Sequence, residues 1–139
     1  MLEIRKATVD DIVLIQALAK QTFPATYKEI ISQLQIDFMM DWMYSLPSLR
    51  NQMMELGHSY FIAYDGSKAV GYVSVQPQGT DVYHLQKIYV LPDCQGHGYG
   101  KQLFLYAVEV VRCRDCVHFG ECLVTENDYC SKGERKENY

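Results

Sequence analysis

A chain of 139 residues, 48% of them apolar and 22% charged, has the size of one domain and enough apolar mass to bury a core, which excludes a disordered segment. Its net charge of −4 argues against general nucleic-acid binding, where a basic face supplies most of the affinity. Residues 1–11 lack the apolar core of a signal peptide and no stretch is long enough to span a bilayer, so a cytoplasmic protein without a membrane partner is expected. In that compartment the five cysteines are read as metal ligands or free thiols before disulfides.

Residues 2–6 alternate as a short strand does. Thr8 precedes Val9-Asp10-Asp11, a Thr-x-x-Asp variant of the capping box, and Ile12, Ile15, Ala19 and Phe23 then recur on one helical face until Pro24 closes the run. Ser32-Gln33-Leu34-Gln35 is a second capping box, followed at helical spacing by Leu34, Phe38 and Trp42. A third helix is expected from near Pro47 to Leu56, ended by Gly57. Trp42, Met39, Met40, Met53 and Met54 are expected in the core, with ligand contact as the alternative. Residues 59–64 and 69–76 read as strands joined by the hairpin turn Asp65-Gly66-Ser67-Lys68, with Gly71 marking a bulge or a close backbone approach. A long strand over residues 82–90 then leads through Pro92 and Asp93 into a glycine-spaced turn and an apolar helical run over residues 103–111.

That turn, Gln95-Gly96-His97-Gly98-Tyr99-Gly100, is where chemistry concentrates. Glycines permit positive φ and let several N–H groups converge, and the following helix adds the positive end of its dipole. Such a concavity takes phosphate oxygens. The dinucleotide fingerprint needs a third glycine three positions after the second, and a triphosphate loop needs Gly-Lys-Ser/Thr; neither is present. Lys87, His97 and Lys101 lie nearby to make the site locally positive on an acidic chain.

The run resembles the acyl-CoA-binding motif of the GNAT acetyltransferase superfamily, Gln/Arg-x-x-Gly-x-Gly/Ala, matched at Gln95, Gly98 and Gly100 behind a strand of the right form. The resemblance covers about residues 2–112 and is most specific over 84–104; the helical region and central strands are similar to the spermidine/spermine-type branch. It implies an α/β fold in the order β-α-α-β-β-β-α, a partial GNAT domain over residues 1–112. It also implies acetyl-CoA as cosubstrate and direct transfer of its acetyl group to an amine acceptor. Backbone groups of Ile88, Tyr89 and Val90 would hold the pantetheine arm, and Gln95, Gly96, His97, Gly98, Tyr99, Gly100 and Lys101 the pyrophosphate. An amine of pKa near 10 must lose a proton, directly or through water, and His84 and Tyr83 are the nearest candidates, with Glu29 and Tyr27 as alternatives from the helical region. Cys94, beside the loop, is read either as a thiolate activated by the local positive field or as an incidental turn residue.

A complete domain of this family continues with further strands and a helix, which the 27 residues after Arg112 are too few to supply. A truncated domain is therefore expected, with an open strand edge that invites a second copy or is covered by Leu123-Val124-Thr125. Residues 113–139 instead carry Cys113, Cys116, Cys122 and Cys130, a set suited to tetrahedral Zn²⁺, and resemble small cysteine-rich modules of phage and bacterial proteins. Free thiols and a redox pair are the alternatives. Two functions stay open: an acetyl-CoA-dependent N-acetyltransferase for a small or protein amine, and a non-catalytic CoA-binding or interaction protein. A zinc-dependent nucleic-acid module is disfavoured, because the basic residues of the tail are offset by its acidic ones.

Overall fold

The structure, a computed structural model, describes residues 2–78 and 82–114, the last three of these by backbone alone. It is a four-stranded antiparallel sheet in the order β1-β2-β3-β4, with three helices on one face and one on the other. Strand β1 (Leu2–Lys6) leads to Thr8, whose hydroxyl accepts from the Asp10 N–H at 3.2 Å while the Asp11 carboxylate accepts from the Thr8 N–H at 2.9 Å. This reciprocal cap starts a 3₁₀ turn over Val9–Asp11 that runs into α1 (Ile12–Tyr27). Ile12, Ile15, Leu18, Ala19 and Phe23 point inward from α1.

Pro24 does not close that helix: α1 continues to Tyr27, and the Lys28 N–H donates to the Pro24 carbonyl at 2.9 Å. A proline here forfeits one backbone bond in the last turn. Continuing the helix packs Phe23 and Tyr27 against each other at 4.6 Å between ring centroids and carries the Tyr27 hydroxyl to that of Tyr89 at 3.2 Å. The tertiary contacts outweigh the local penalty.

Helix α2 (Gln33–Tyr44) opens with both halves of the Ser32–Gln35 capping box, at 3.2 and 3.0 Å. Two stripes compete on it, 34-38-42 and 36-40-44, about half a turn apart. The second faces the sheet, with Ile36 and Tyr44 buried. Trp42 is accordingly 66% exposed rather than in the core, and Met54 is 60% exposed at the end of α3 (Leu46–Met54); Met39, Met40 and Met53 are half-buried against the core. Ser45 caps α3 by accepting from the Ser48 N–H at 3.3 Å.

Strands β2 (Ser59–Asp65) and β3 (Lys68–Pro77) form the expected hairpin, turning at Gly66 with φ 65°. The register jumps from Ala63↔Gly71 to Tyr64↔Ala69, so a bulge sits beside Gly71. Gly71 is also a close approach: a Cβ there would lie 2.5 Å from the Tyr89 carbonyl oxygen and 3.3 Å from Leu103 Cδ1. Strand β4 (Tyr83–Val90) pairs with β3 through a second bulge, where Ser74↔Lys87 is followed by Val75↔Leu85 and Gln86 is the extra residue. Because an extra residue swaps the faces of everything beyond it, Tyr83 and Leu85 look toward α4 (Tyr99–Arg114) whereas Lys87 and Tyr89 look toward α1–α3. Helix α4 lies across the other face, with Tyr106 against Phe61 at 5.4 Å. It runs to Arg114, two residues beyond the expected boundary at 112. Among the described residues no helix is long and apolar enough to cross a membrane.

Candidate active site

The site grows from the free edge of β4, the last strand of the sheet among the described residues. The Leu91 N–H donates to the Val70 carbonyl at 2.8 Å, which fixes the phase of the antiparallel ladder. By alternation, Tyr89 and Lys87 direct their backbone groups to β3, and Ile88 and Val90 direct theirs outward. The Val90 carbonyl accepts from Gln95 Nε2 at 3.3 Å, as that phase requires. Of the three strand residues expected to offer backbone to a ligand, Ile88 and Val90 turn theirs away from β3, whereas Tyr89 turns its own toward β3.

After Leu91 a 3₁₀ turn over Pro92–Cys94 leads into the glycine loop. Gly96 and Gly98 have φ of 87° and 78°, the left-handed region that a side chain penalises. Among the described residues the backbone N–H groups of Gly98, Tyr99, Gly100 and Lys101, the first amides of α4, have no backbone or side-chain acceptor. Gly100 adds a different constraint. Its φ is not positive and a Cβ would meet only Val90 Cγ2 at 3.8 Å, so what its missing side chain preserves is open space. Ile88, Tyr89, Val90, Gln95, Gly96, Gly98, Tyr99 and Gly100 together line a cleft of about 400 Å³. Converging unpaired amides, a helix N-terminus and a strand edge form a binding surface for an elongated ligand with an anionic end.

His97 and Lys101 flank this cleft without lining it. The His97 ring lies 3.0 Å (Nδ1) from the Cys94 carbonyl and stacks on Tyr99 at 5.4 Å. Tyr99 in turn donates to Asp65 Oδ2 at 2.8 Å, and Lys68 pairs with Asp93 at 3.5 Å, so the tip of the β2–β3 hairpin braces the turn from outside. Lys101 is exposed in the first turn of α4 and is the cation available there.

Lys87 is not a cation of the turn. Its ammonium points the other way, donating to Gln52 Oε1 at 2.8 Å and to the Tyr60 hydroxyl at 2.5 Å, over the Tyr44 ring at 4.5 Å. Burial with only neutral oxygens for company pushes its pKa down to about 8. Around it Tyr60 donates to Gln52 Oε1 at 2.6 Å and Tyr72 to the Tyr44 hydroxyl at 2.8 Å. Burial raises the phenols of Tyr44, Tyr60 and Tyr89 far above the ordinary range and that of Tyr72 to about 12, so all four remain protonated donors. At the cleft wall, Tyr89 ends this cluster in its contact with Tyr27.

His84 and Tyr83 are not brought to the cleft. They lie at the opposite end of β4: His84 is exposed beside its cross-strand partner Gln76, and Tyr83 lines an apolar hollow of about 310 Å³ with Leu85 and Phe104. Glu29 is exposed beyond the end of α1, whereas Tyr27 reaches the cleft wall. Cys94 is 8% exposed, and burial raises its thiol, with the neighbouring Asp93 carboxylate accepting from Sγ at 3.5 Å; the direction is opposite to that of an activated thiolate. Cys113 falls in the last turn of α4 by its backbone, and its side chain, Cys116, Cys122 and Cys130 lie outside the described residues. Among the described residues no group of three or more metal-ligating side chains comes together.

The braces and the inward lysine carried little sequence signal. Asp65 and Lys68 read as ordinary hairpin residues, and the direction of Lys87 depends on the bulge at Gln86.

Solved structures share this architecture. The PaiA N-acetyltransferase of Thermoplasma acidophilum, in complex with coenzyme A, superposes with a TM-score of 0.73 at 22% identity, over 82% of this chain and 74% of that one. The ribosomal-protein-S18-alanine N-acetyltransferase of Escherichia coli gives 0.61 at 16% identity, over 83% and 62%. The N-acetylglutamate synthase of Neisseria gonorrhoeae, complexed with coenzyme A and N-acetyl-glutamate, gives 0.57 at 20% identity, over 81% of this chain and 23% of that one. At these identities the likeness is one of fold. The acetyltransferase (GNAT) family model matches residues 20–129, through most of the described helices and strands and past the boundary expected at 112. With more than half of its length matched, the chain belongs to the acetyltransferase (GNAT) family.

Proposed function

We propose that the cleft along β4 binds acetyl-CoA and that the chain transfers its acetyl group to a primary amine by direct attack on the thioester. The observation that carries this reading is the set of unpaired amides from Gly98 to Lys101 beside the outward-facing backbone of Ile88 and the Val90 N–H. Acetyl-CoA supplies an activated acyl group whose carbonyl carbon the amine nitrogen attacks as the C–S bond breaks. The amides of Gly98, Tyr99, Gly100 and Lys101 hold the diphosphate, with the α4 dipole and the Lys101 charge behind them. Ile88 and the Val90 N–H pair with the amide groups of the arm as a neighbouring strand would. The Ile88 N–H is the donor suited to the developing oxyanion, a contribution on the order of 3 kcal/mol in sites of this type.

Tyr89 lines the cleft with its hydroxyl oriented by Tyr27 at 3.2 Å, so we assign it to hydrogen-bonding the departing thiolate, which takes its proton from water. The amine sheds its proton to water, since His84 and Tyr83 do not line the cleft. Zinc bound by Cys113, Cys116, Cys122 and Cys130 remains a separate proposal, tested by elemental analysis of the purified chain together with thiol titration.

Isothermal calorimetry with acetyl-CoA, followed by release of free CoA thiol with a panel of amines, tests the whole. Saturable binding lost in Gly98→Glu and thiol release dependent on the amine support it; no saturable binding rejects it. The displacement of His84 and Tyr83 from the cleft favours one alternative, a CoA-binding protein without transfer. Saturable binding with no thiol release for any amine is its signature.

A further inference from the structure

The outer face of the helical layer offers an interaction surface with a definite occupant. Leu34, Phe38 and Trp42 stand one turn apart along α2, 80%, 68% and 66% exposed, on the side away from the sheet. Monomers rarely leave contiguous apolar patches beyond a few hundred Å² in water. An aromatic side chain offers roughly 150–250 Å², so this ridge alone is on the order of 400 Å². Where the ridge ends, a groove of about 350 Å³ opens between α1 and α3, lined by Val9, Ile12, Val13, Leu46, Pro47 and Arg50. Val13 and Leu46 are 64% and 42% exposed in it. The two features also differ in charge. Asp37 and Asp41 are exposed on α2 next to the ridge residues, and Arg50 is exposed on the groove wall.

We propose that ridge and groove are the two halves of a self-complementary surface, through which the chain pairs with a second copy about a two-fold axis. In an isologous contact each patch meets its complement twice. The Phe38–Trp42 ridge of one copy enters the Val13–Leu46 groove of the other, and the Asp41 carboxylate of one faces the Arg50 guanidinium of the other. The ridge supplies about half of the roughly 800 Å² per partner of a standard stable interface, and the groove that receives it adds to that area. A ridge with no groove, or a groove with like charge, would not close in this way. The pairing uses the α1–α3 layer and leaves the free edge of β4 and the cleft open, so it stands independently of the proposed reaction.

Trp42 is the chain's sole tryptophan, which makes it a reporter for this surface. The experiment is sedimentation equilibrium of the full chain over a wide concentration range, read beside tryptophan emission and iodide quenching. The expected result is a dimer with blue-shifted, quench-protected emission that turns red-shifted and quenchable on dilution. Phe38→Glu should give a monomer with an exposed tryptophan and an unchanged thermal midpoint at low concentration. Arg50→Asp should weaken dimerisation by about tenfold, a shift of some 1.4 kcal/mol, and Asp41→Arg in the same chain should restore it. A monomer at every concentration with a quenchable tryptophan overturns the proposal. So does a monomer whose tryptophan is shielded, which would assign the ridge to residues 115–139. A dimer that survives Phe38→Glu overturns it as well, by placing the interface elsewhere.

Discussion

Two sites on β4, a few residues apart, are built in opposite ways. The turn after Val90 is made from consecutive residues, and its geometry follows from two positive-φ glycines and the start of a helix. The cluster around Lys87 is made from α2, α3 and β2 as well as β4, and none of its partners is a sequence neighbour. The first leaves backbone amides unpaired and open; the second ties donors to acceptors and shields them. An anion site must keep donors available, whereas a polar group inside the core must use them, because an unmade bond there costs about 1–3 kcal/mol. The contrast separates residues poised for a ligand from residues that hold the walls apart.

Four substitutions break or sharpen that contrast. The largest effect is expected from Gly98→Glu, which puts a carboxylate and a strained φ into the amide cradle. Acetyl-CoA affinity should fall at least about a hundredfold by calorimetry, while stability drops by only about 1–3 kcal/mol. Gly71→Ala acts on the framework instead. Its methyl would lie 2.5 Å from the Tyr89 carbonyl, so chemical denaturation should show a loss of about 2–3 kcal/mol with weaker binding following from the shifted β4.

Lys87→Met should be neutral or stabilising at pH 7, by up to about 3 kcal/mol. Tyr60 still donates to Gln52 after the change, so no acceptor is orphaned. In the unaltered chain the folded pKa of about 8 lies below the model value of 10.5. Below pH 8 both states carry the proton and this group gives no slope. Between about 8 and 10 the unfolded chain binds more protons, so stability rises with pH. Above about 10 the unfolded tyrosines ionise while Tyr72, at about 12, stays neutral, and stability falls again. Urea unfolding across this range should show the rise in the unaltered chain and not in Lys87→Met. The smallest effect is Tyr99→Phe, which removes one exposed bond to Asp65 and should cost at most about 1 kcal/mol of stability and a few-fold in affinity.

Legibility in the sequence followed the same division. The Thr8 and Ser32 caps, the Gly66 hairpin and the glycine turn depend on spacings of three or four residues, and each formed where those spacings put it. Pro24 was read by a local rule that the ring contacts of Phe23 and Tyr27 override. Trp42 carried the right period but the wrong side, because two apolar stripes on α2 leave the choice to the sheet. Proximity in the chain puts Lys87 near the turn, but the register step at Gln86 decides which way it points. The same proximity points to His84 and Tyr83, and neither lines the cleft.

The Asp65–Tyr99 and Lys68–Asp93 contacts tie the tip of the β2–β3 hairpin to the glycine turn from some thirty residues upstream. A reporter peptide spliced between Gly66 and Ser67 would sit in solvent, outside the core, one residue from each of the two contacts that brace the turn. The hairpin is thus a place to attach a probe close to the turn without altering a residue that lines the cleft.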